Sequence, residues 1–320
     1  MKRLSILFLM FILAVATAAC GGQSAAPEQA TSAAAAPAPE ETEMTITHNL
    51  GETKVKKNPE KVVVFDFGVL DSLDKLGVEI TALPQSNVPK YLSKYTDSKY
   101  VNVGTLKEPD FEKISEINPD LIIISGRQQE LYDEFSKLGP TIFMGVDSAK
   151  YMESYTENAK RLGSLFGKEA QVDEELAKVN ASLEALNAKA SASGKNALII
   201  LANEGNISAY GAGSRFGIIH DVMGFKPVDE SIQVTTHGQS ISFEYIAEKN
   251  PDYLFVIDRN VAVGTSDAGA KQLVENQLVQ KTKAYADGNI VYLDPDYWYL
   301  SGGGLISVAE MVKQMEEAAK

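Results

Sequence analysis

Cysteine is almost missing: Cys20 is the single one among 320 residues, so no disulfide can form within the chain. Histidine is nearly as scarce, and His48, His220 and His237 lie far apart. A bare zinc or manganese ion would need clustered imidazoles and carboxylates, so such a site is not expected. Positive charge is in deficit, with 30 Lys and Arg against 43 Asp and Glu and a formal net charge of -13. That argues against a nucleic-acid partner, whose phosphates need a basic surface. The patterns G-x-S-x-G, H-E-x-x-H and the Walker loop are absent as well, which removes common hydrolase, metalloprotease and nucleotidase signatures. Gly211–Gly217 looks like a dinucleotide loop, but its third glycine comes one position late and no acidic ribose partner stands out downstream. Nothing here points to an enzyme.

Long apolar runs are also lacking, apart from Leu4–Val15 behind Lys2 and Arg3. That run is short for a membrane span and leads into small residues, as a cleaved signal peptide does, here 1–19. Thr17-Ala18-Ala19-Cys20 resembles the lipobox of bacterial lipoproteins, with Thr17 where Leu is usual. The resemblance implies a diacylglycerol on the Cys20 thiol and stable anchoring to a membrane. Residues 20–43 are Ala-, Pro- and Glu-rich without apolar periodicity, the composition of a disordered tether. The protein is therefore expected outside the cytoplasm, lipid-anchored to the cell membrane.

What is there, beyond residue 43, is alternation. Val62–Phe65, Leu121–Ile124, Ile142–Met144, Leu198–Leu201, Leu254–Ile257 and Val291–Leu293 read as buried strands, and Val69–Leu76 and Leu305–Ala319 as amphipathic helices. The pattern predicts an α/β fold with buried sheets. Ser148–Ala192 is helix-forming almost throughout and breaks at Gly167. The expected division is a lobe at 44–147, a connecting helix at 148–167 and a second lobe at 168–320.

One sentence is written twice. FEKISEINPDLIIISGRQ (Phe111–Gln128) and FEYIAEKNPDYLFVIDRN (Phe243–Asn260) align without a gap. Each reads as a short helix with an apolar stripe, an Asn-Pro-Asp stop, a buried strand and then an arginine. The residue before proline avoids the right-handed α region, which ends the helix. Ligands of open α/β sheets bind outside the carboxyl ends of the strands, so Arg127 and Arg259 are expected to face one cleft.

Pro109-Asp110-Phe111-Glu112-Lys113-Ile114 and Asn118-Pro119-Asp120-Leu121-Ile122-Ile123 resemble the central motif of the substrate-binding lipoproteins of bacterial ABC importers for siderophores, haem and vitamin B12. The resemblance covers 44–320. It implies two α/β lobes joined by one long helix, the class III arrangement, in a monomer that delivers its ligand to permease subunits. Four stretches are similar to the catecholate subgroup, which takes enterobactin- or petrobactin-type ligands: Ile124–Gln128, Ser214–Val222, Thr236–Ser240 and Asp294–Gly303. The implied ligand is a ferric catecholate siderophore, with no intrinsic cofactor. Haem and vitamin B12 are the alternatives within the same fold.

The resemblance carries residue roles with it. Arg127, Arg215 and Arg259 would bind the anionic complex, since guanidinium groups stay charged, donate in a plane and stack on aromatic rings. Glu112 and Glu244, in the first turn of the two repeated helices, would meet arginines of the permease. Their bland role is favourable contact with the helix dipole. His237 and Tyr297 would fill the two iron positions that a tetradentate siderophore leaves open, with Tyr299 the competing choice. His48 is expected exposed, and His220 structural.

Overall fold

Short apolar runs close into two separate sheets. The computed structural model describes residues 42–265 and 269–319. The expected signal peptide, Cys20 and nearly all of the expected tether lie outside the described residues. The described chain opens on an antiparallel hairpin, β1 (Glu43–His48) and β2 (Gly51–Lys56), so regular structure starts at the last residue assigned to the tether. His48 is buried rather than exposed, with its ring edge-on to Tyr132 and Nε2 3.1 Å from the Thr53 hydroxyl.

The first sheet contains β3 (Val62–Val64), β4 (Ala82–Leu83), β5 (Val101–Asn102), β6 (Leu121–Ile124) and β7 (Thr141–Phe143), all parallel in the order β5-β4-β3-β6-β7. Helices α1 (Phe67–Lys75) and α2 (Phe111–Ile117) cover it. Then come α3 (Tyr151–Phe166) and α4 (Glu169–Ser193). The second sheet holds β8 (Asn196–Asn203), β9 (Asn206–Tyr210), β10 (Lys226–Pro227), β11 (Gln239–Ile241), β12 (Tyr253–Asp258) and β13 (Ile290–Leu293). Its order is β11-β9-β8-β12-β13, with β8, β12 and β13 parallel and β9 antiparallel to both its neighbours. Helix α5 (Phe243–Lys249) precedes β12, and α6 (Leu305–Ala318) ends the chain, packed on α1 and α4. Every residue of β3, β6 and β12 is buried, as parallel strands covered on both faces require. Each such Val, Leu or Ile contributes about 1.5–3 kcal/mol.

The connector differs from the expected 148–167. Helix α3 stays with the first sheet: Asn158 Nδ2 donates to Met144 O at 3.0 Å, and Asn58 N to Leu165 O at 2.9 Å. Of these two helices, α4 is the one whose ends touch different halves. Near its start Gln171 Nε2 donates to Lys75 O, and Glu175 pairs with Lys75 at 3.2 Å. Near its end Asn187 Nδ2 donates to Val222 O at 2.7 Å. Its 25 residues reach roughly 37 Å at 1.5 Å per residue. Gly167, at φ +62°, caps α3 as expected.

The repeated sentence folds the same way twice. Side chains of Asp110 and Ser242 cap α2 and α5, accepting from Lys113 N and Tyr245 N. Each helix ends on a left-handed asparagine, Asn118 (φ 51°, ψ 69°) and Asn250 (φ 45°, ψ 60°). Asparagine is among the few residues that visit this region readily, and from there the chain turns into β6 or β12.

Among the described residues no helix is long and apolar enough to cross a membrane.

Candidate functional site

Three guanidinium groups meet at one tyrosine. Arg127 follows β6 in a 3₁₀ turn that Ser125 starts, and its Nη2 donates to the Tyr299 carbonyl at 3.3 Å. Arg259 follows β12 behind the cap Asp258, and its Nε donates to the Tyr299 hydroxyl at 3.0 Å. Asn203 Oδ1, at the end of β8, holds Nη1 of the same arginine at 2.8 Å. Arg215 sits in the turn after β9. Its Nη2 donates to the Tyr299 carbonyl at 2.6 Å, and its guanidinium lies 4.2 Å from the centre of the Tyr299 ring. The paired arginines of the repeat thus come from different sheets to one point, and the third joins them there.

These groups line a cavity of about 1230 Å³. All four stretches singled out in the sequence contribute to it, through Arg127, Arg215, His237 and Tyr299 among others. Lys107 adds a fourth positive charge to the wall, and Tyr151 a buried hydroxyl with no hydrogen-bond partner. Burial, and then the neighbouring Arg127, lower the pKa of Arg215, yet a guanidinium starts so high that it stays charged. An anion entering here would therefore meet positive charge that is partly stripped of water, where attraction is strong.

His237 is exposed on the loop before β11 and faces the cavity. Gly238 fixes that loop. It sits at φ +75°, and a Cβ there would come within 2.7 Å of the Tyr210 ring. His220 lies outside the cavity, with Nδ1 2.8 Å from the Phe225 carbonyl.

Tyr297 does not reach the cavity. Its ring packs against Tyr91, with centroids 4.6 Å apart, while Tyr299 carries the site. The reason is local: Asp296–Leu300 forms a single π-helical turn, and residues two apart on such a turn point to opposite sides. The surroundings also separate the two phenols. Burial followed by Glu310 and Asp294 raises the pKa of Tyr297. Burial acts the same way on Tyr299, but Arg215 and then Arg259 outweigh it and hold that phenol below its ordinary value.

Glu112 and Glu244 are both exposed in the first turns of α2 and α5. Register places both at the carboxyl ends of the sheets. Ile241 pairs with Ile207, Ile207 with Ala202, and Ala202 with Asp258, so α5 starts level with Arg259. In the first sheet Asp110 N donates to the carbonyl of Val103, just past β5. Each glutamate therefore lies at the carboxyl end of its own sheet, as Arg127 and Arg259 do, and outside the cavity that the arginines line.

A family described as periplasmic binding protein matches residues 62–297. The chain belongs to that family. The match spans both sheets and reaches every cavity arginine and His237, while Tyr299 falls two residues beyond it. Over 321 residues the chain is 50% identical to the petrobactin-binding protein YclQ of Bacillus subtilis, covering 99% of each. The crystal structure of that protein superposes with a TM-score of 0.85 over 87% of this chain and 99% of the other. The catecholate-siderophore binding protein VctP of Vibrio cholerae matches at 36% identity with a TM-score of 0.83, over 86% of this chain and 99% of the other. The siderophore binding protein BauB, seen with two acinetobactin molecules and ferric iron, matches at 30% identity and 0.80, over 87% and 99%. Two central sheets flanked by helices are the class III fold of periplasmic binding proteins.

Proposed function

We propose that this protein captures a ferric catecholate siderophore outside the cytoplasm and hands it to an ABC permease, carrying out no chemistry of its own. The observation that carries the reading is the meeting of Arg127, Arg215 and Arg259 around Tyr299 in one cavity. A ferric tris-catecholate is a trianion with its oxygens spread around the metal. Three planar donors with fixed charge suit it better than lysines would. The similarity to petrobactin- and catecholate-binding proteins supports the same ligand class.

Iron is the cargo here, and a tetradentate ligand leaves two of its octahedral positions open. His237 and Tyr299 are the residues proposed to fill them; Tyr299 takes the place first given to Tyr297. Phenolate is an established ferric ligand, and imidazole suits iron as well. The lowered pKa of Tyr299 favours the phenolate.

Glu112 and Glu244 are proposed to dock on the permease, one from each lobe, and Cys20 to hold the protein at the membrane. The test of the central reading is binding of a ferric tris-catecholate by wild type and by the three single Arg→Ala variants. Undiminished affinity in all three would reject it.

A further inference from the structure

The turn that carries Tyr299 follows β13 of the second sheet, yet elements of the first sheet hold it. Lys90 N donates to Asp296 Oδ2 at 3.0 Å, and the Tyr91 ring packs on Tyr297. At its far end, Ser72 Oγ accepts from Leu305 N at 3.0 Å. Asp71 of α1 accepts from Ile306 N and Ser307 N, each at 2.7 Å. Asp71 is completely buried. A carboxylate in such a place is costly without a cation beside it. The titratable groups that face it are phenols: Tyr91, Tyr151 and Tyr155 of α3, and Tyr297 of the π turn.

A proton count decides its state. Three oxygen contacts run in line: Asp71 Oδ2 to the Tyr91 hydroxyl at 2.8 Å, that hydroxyl to Ser301 Oγ at 2.7 Å, and Ser301 Oγ to the Asp296 carbonyl at 2.6 Å. Contacts this short between oxygens each need one proton. Tyr91 and Ser301 bring one apiece, and the carbonyl brings none. The carboxyl of Asp71 is the remaining source. With a proton on Oδ2, Asp71 donates to Tyr91, Tyr91 to Ser301 and Ser301 to the Asp296 carbonyl, and every link is filled. A carboxylate would leave one link as facing lone pairs.

We infer that Asp71 is held as a neutral carboxylic acid and is the positioning residue of the Tyr299 turn. The chain ends on the Asp296 carbonyl, which also accepts from Ser301 N at 3.2 Å and so closes that turn. Losing the proton opens one link between α1 and the cavity wall. Burial, opposed by the backbone N–H groups of Ile306 and Ser307, raises the pKa of Asp71 to about 7.

The lock stands apart from the ligand; only its effect on binding rests on the function proposed above. The folded protein keeps the proton up to about pH 7, while the unfolded chain releases it near the ordinary value of 3.8. Stability from this group is therefore fully present below 3.8 and is lost as pH rises through 7.

The experiment is equilibrium unfolding of wild type and Asp71→Asn across that window. The asparagine amide can still donate to Tyr91 and accept from Ile306 N; it gives up the acceptor of Ser307 N, a loss that does not vary with pH, and it does not titrate. The ratio of wild-type to variant unfolding constants should rise with pH, by up to about tenfold per unit. A flat or falling ratio would show an ordinary ionised cap and overturn the inference. Should the variant not fold, infrared spectra of the wild type with isotopically labelled aspartate at about pH 6 must show a protonated carboxyl band, and its absence overturns the inference equally. Affinity for a ferric tris-catecholate adds the positioning readout: Asp71→Asn should retain it and Asp71→Ala lose it severalfold. Equal losses in the two would reject the positioning role. A wild type that binds no catecholate fails the proposed function but leaves the unfolding test intact.

Discussion

Tyr297 and Tyr299 differ in what a ferric ligand would meet. Tyr299 has three arginines around it, and Tyr297 only Tyr91 and acidic neighbours. A ferric bis-catecholate should therefore change its charge-transfer spectrum on adding wild type or Tyr297→Phe. It should not do so with His237→Ala/Tyr299→Phe, which should keep most of its affinity for a tris-catecholate. An unchanged shift in the double variant would mean that neither side chain touches iron. Among the arginines, Arg215→Ala should cost most, about 2–5 kcal/mol for a desolvated charge pair, because Arg127 is exposed by comparison. Isothermal titration on the three variants orders them. Arg127 and Arg259 were legible because a repeat placed them at equivalent strand ends, whereas Arg215 lies outside the repeat and came only with the family resemblance. The choice of tyrosine was not, because nothing in Asp-Tyr-Trp-Tyr-Leu distinguishes a π turn from a loop. Nor could the sequence show Asn203 holding Arg259, a partner 56 residues away.

At the scale of elements, the repeat and the buried strands could be read directly, since four to six apolar residues between turn residues have few other uses. Strands β4, β5 and β10 could not, being two residues each with no period to detect. The sequence does not tell α3 from α4 as the connector, because helix-forming composition runs on both sides of Gly167. Only contacts with Lys75 and Val222 show which helix bridges. The left-handed asparagines should be costly to replace: Asn118→Ala is expected to lose about 1–2 kcal/mol in chemical denaturation, and Asn118→Gly much less. Similar losses from both would mean that the side chain, not the backbone region, matters. Glu112→Ala and Glu244→Ala should leave ligand affinity near wild type while lowering iron uptake by cells, since both lie outside the cavity. A parallel fall in affinity would place them in ligand binding instead.

For the whole molecule, two lobes bridged by α4 present one cleft, with arginines from both sheets at its floor and a glutamate beside each sheet end. Cys20→Ala should move the protein from the membrane fraction to the soluble one without lowering its melting temperature, because the hairpin and sheets begin only at Glu43. The central claim is that the cleft selects a ferric catecholate. Trp298 is the sole tryptophan, buried in the cavity wall with Nε1 donating to Gln314 at 2.8 Å. Its fluorescence reports occupancy with no added label. The decisive measurement is a titration of that fluorescence with ferric tris-catecholate, ferric bis-catecholate, ferric hydroxamate, haem and vitamin B12. Saturable quenching by the catecholates is expected at the lowest concentrations, with weaker or no response to the others. Tight quenching by haem or vitamin B12, with none by either catecholate complex, would contradict the central claim.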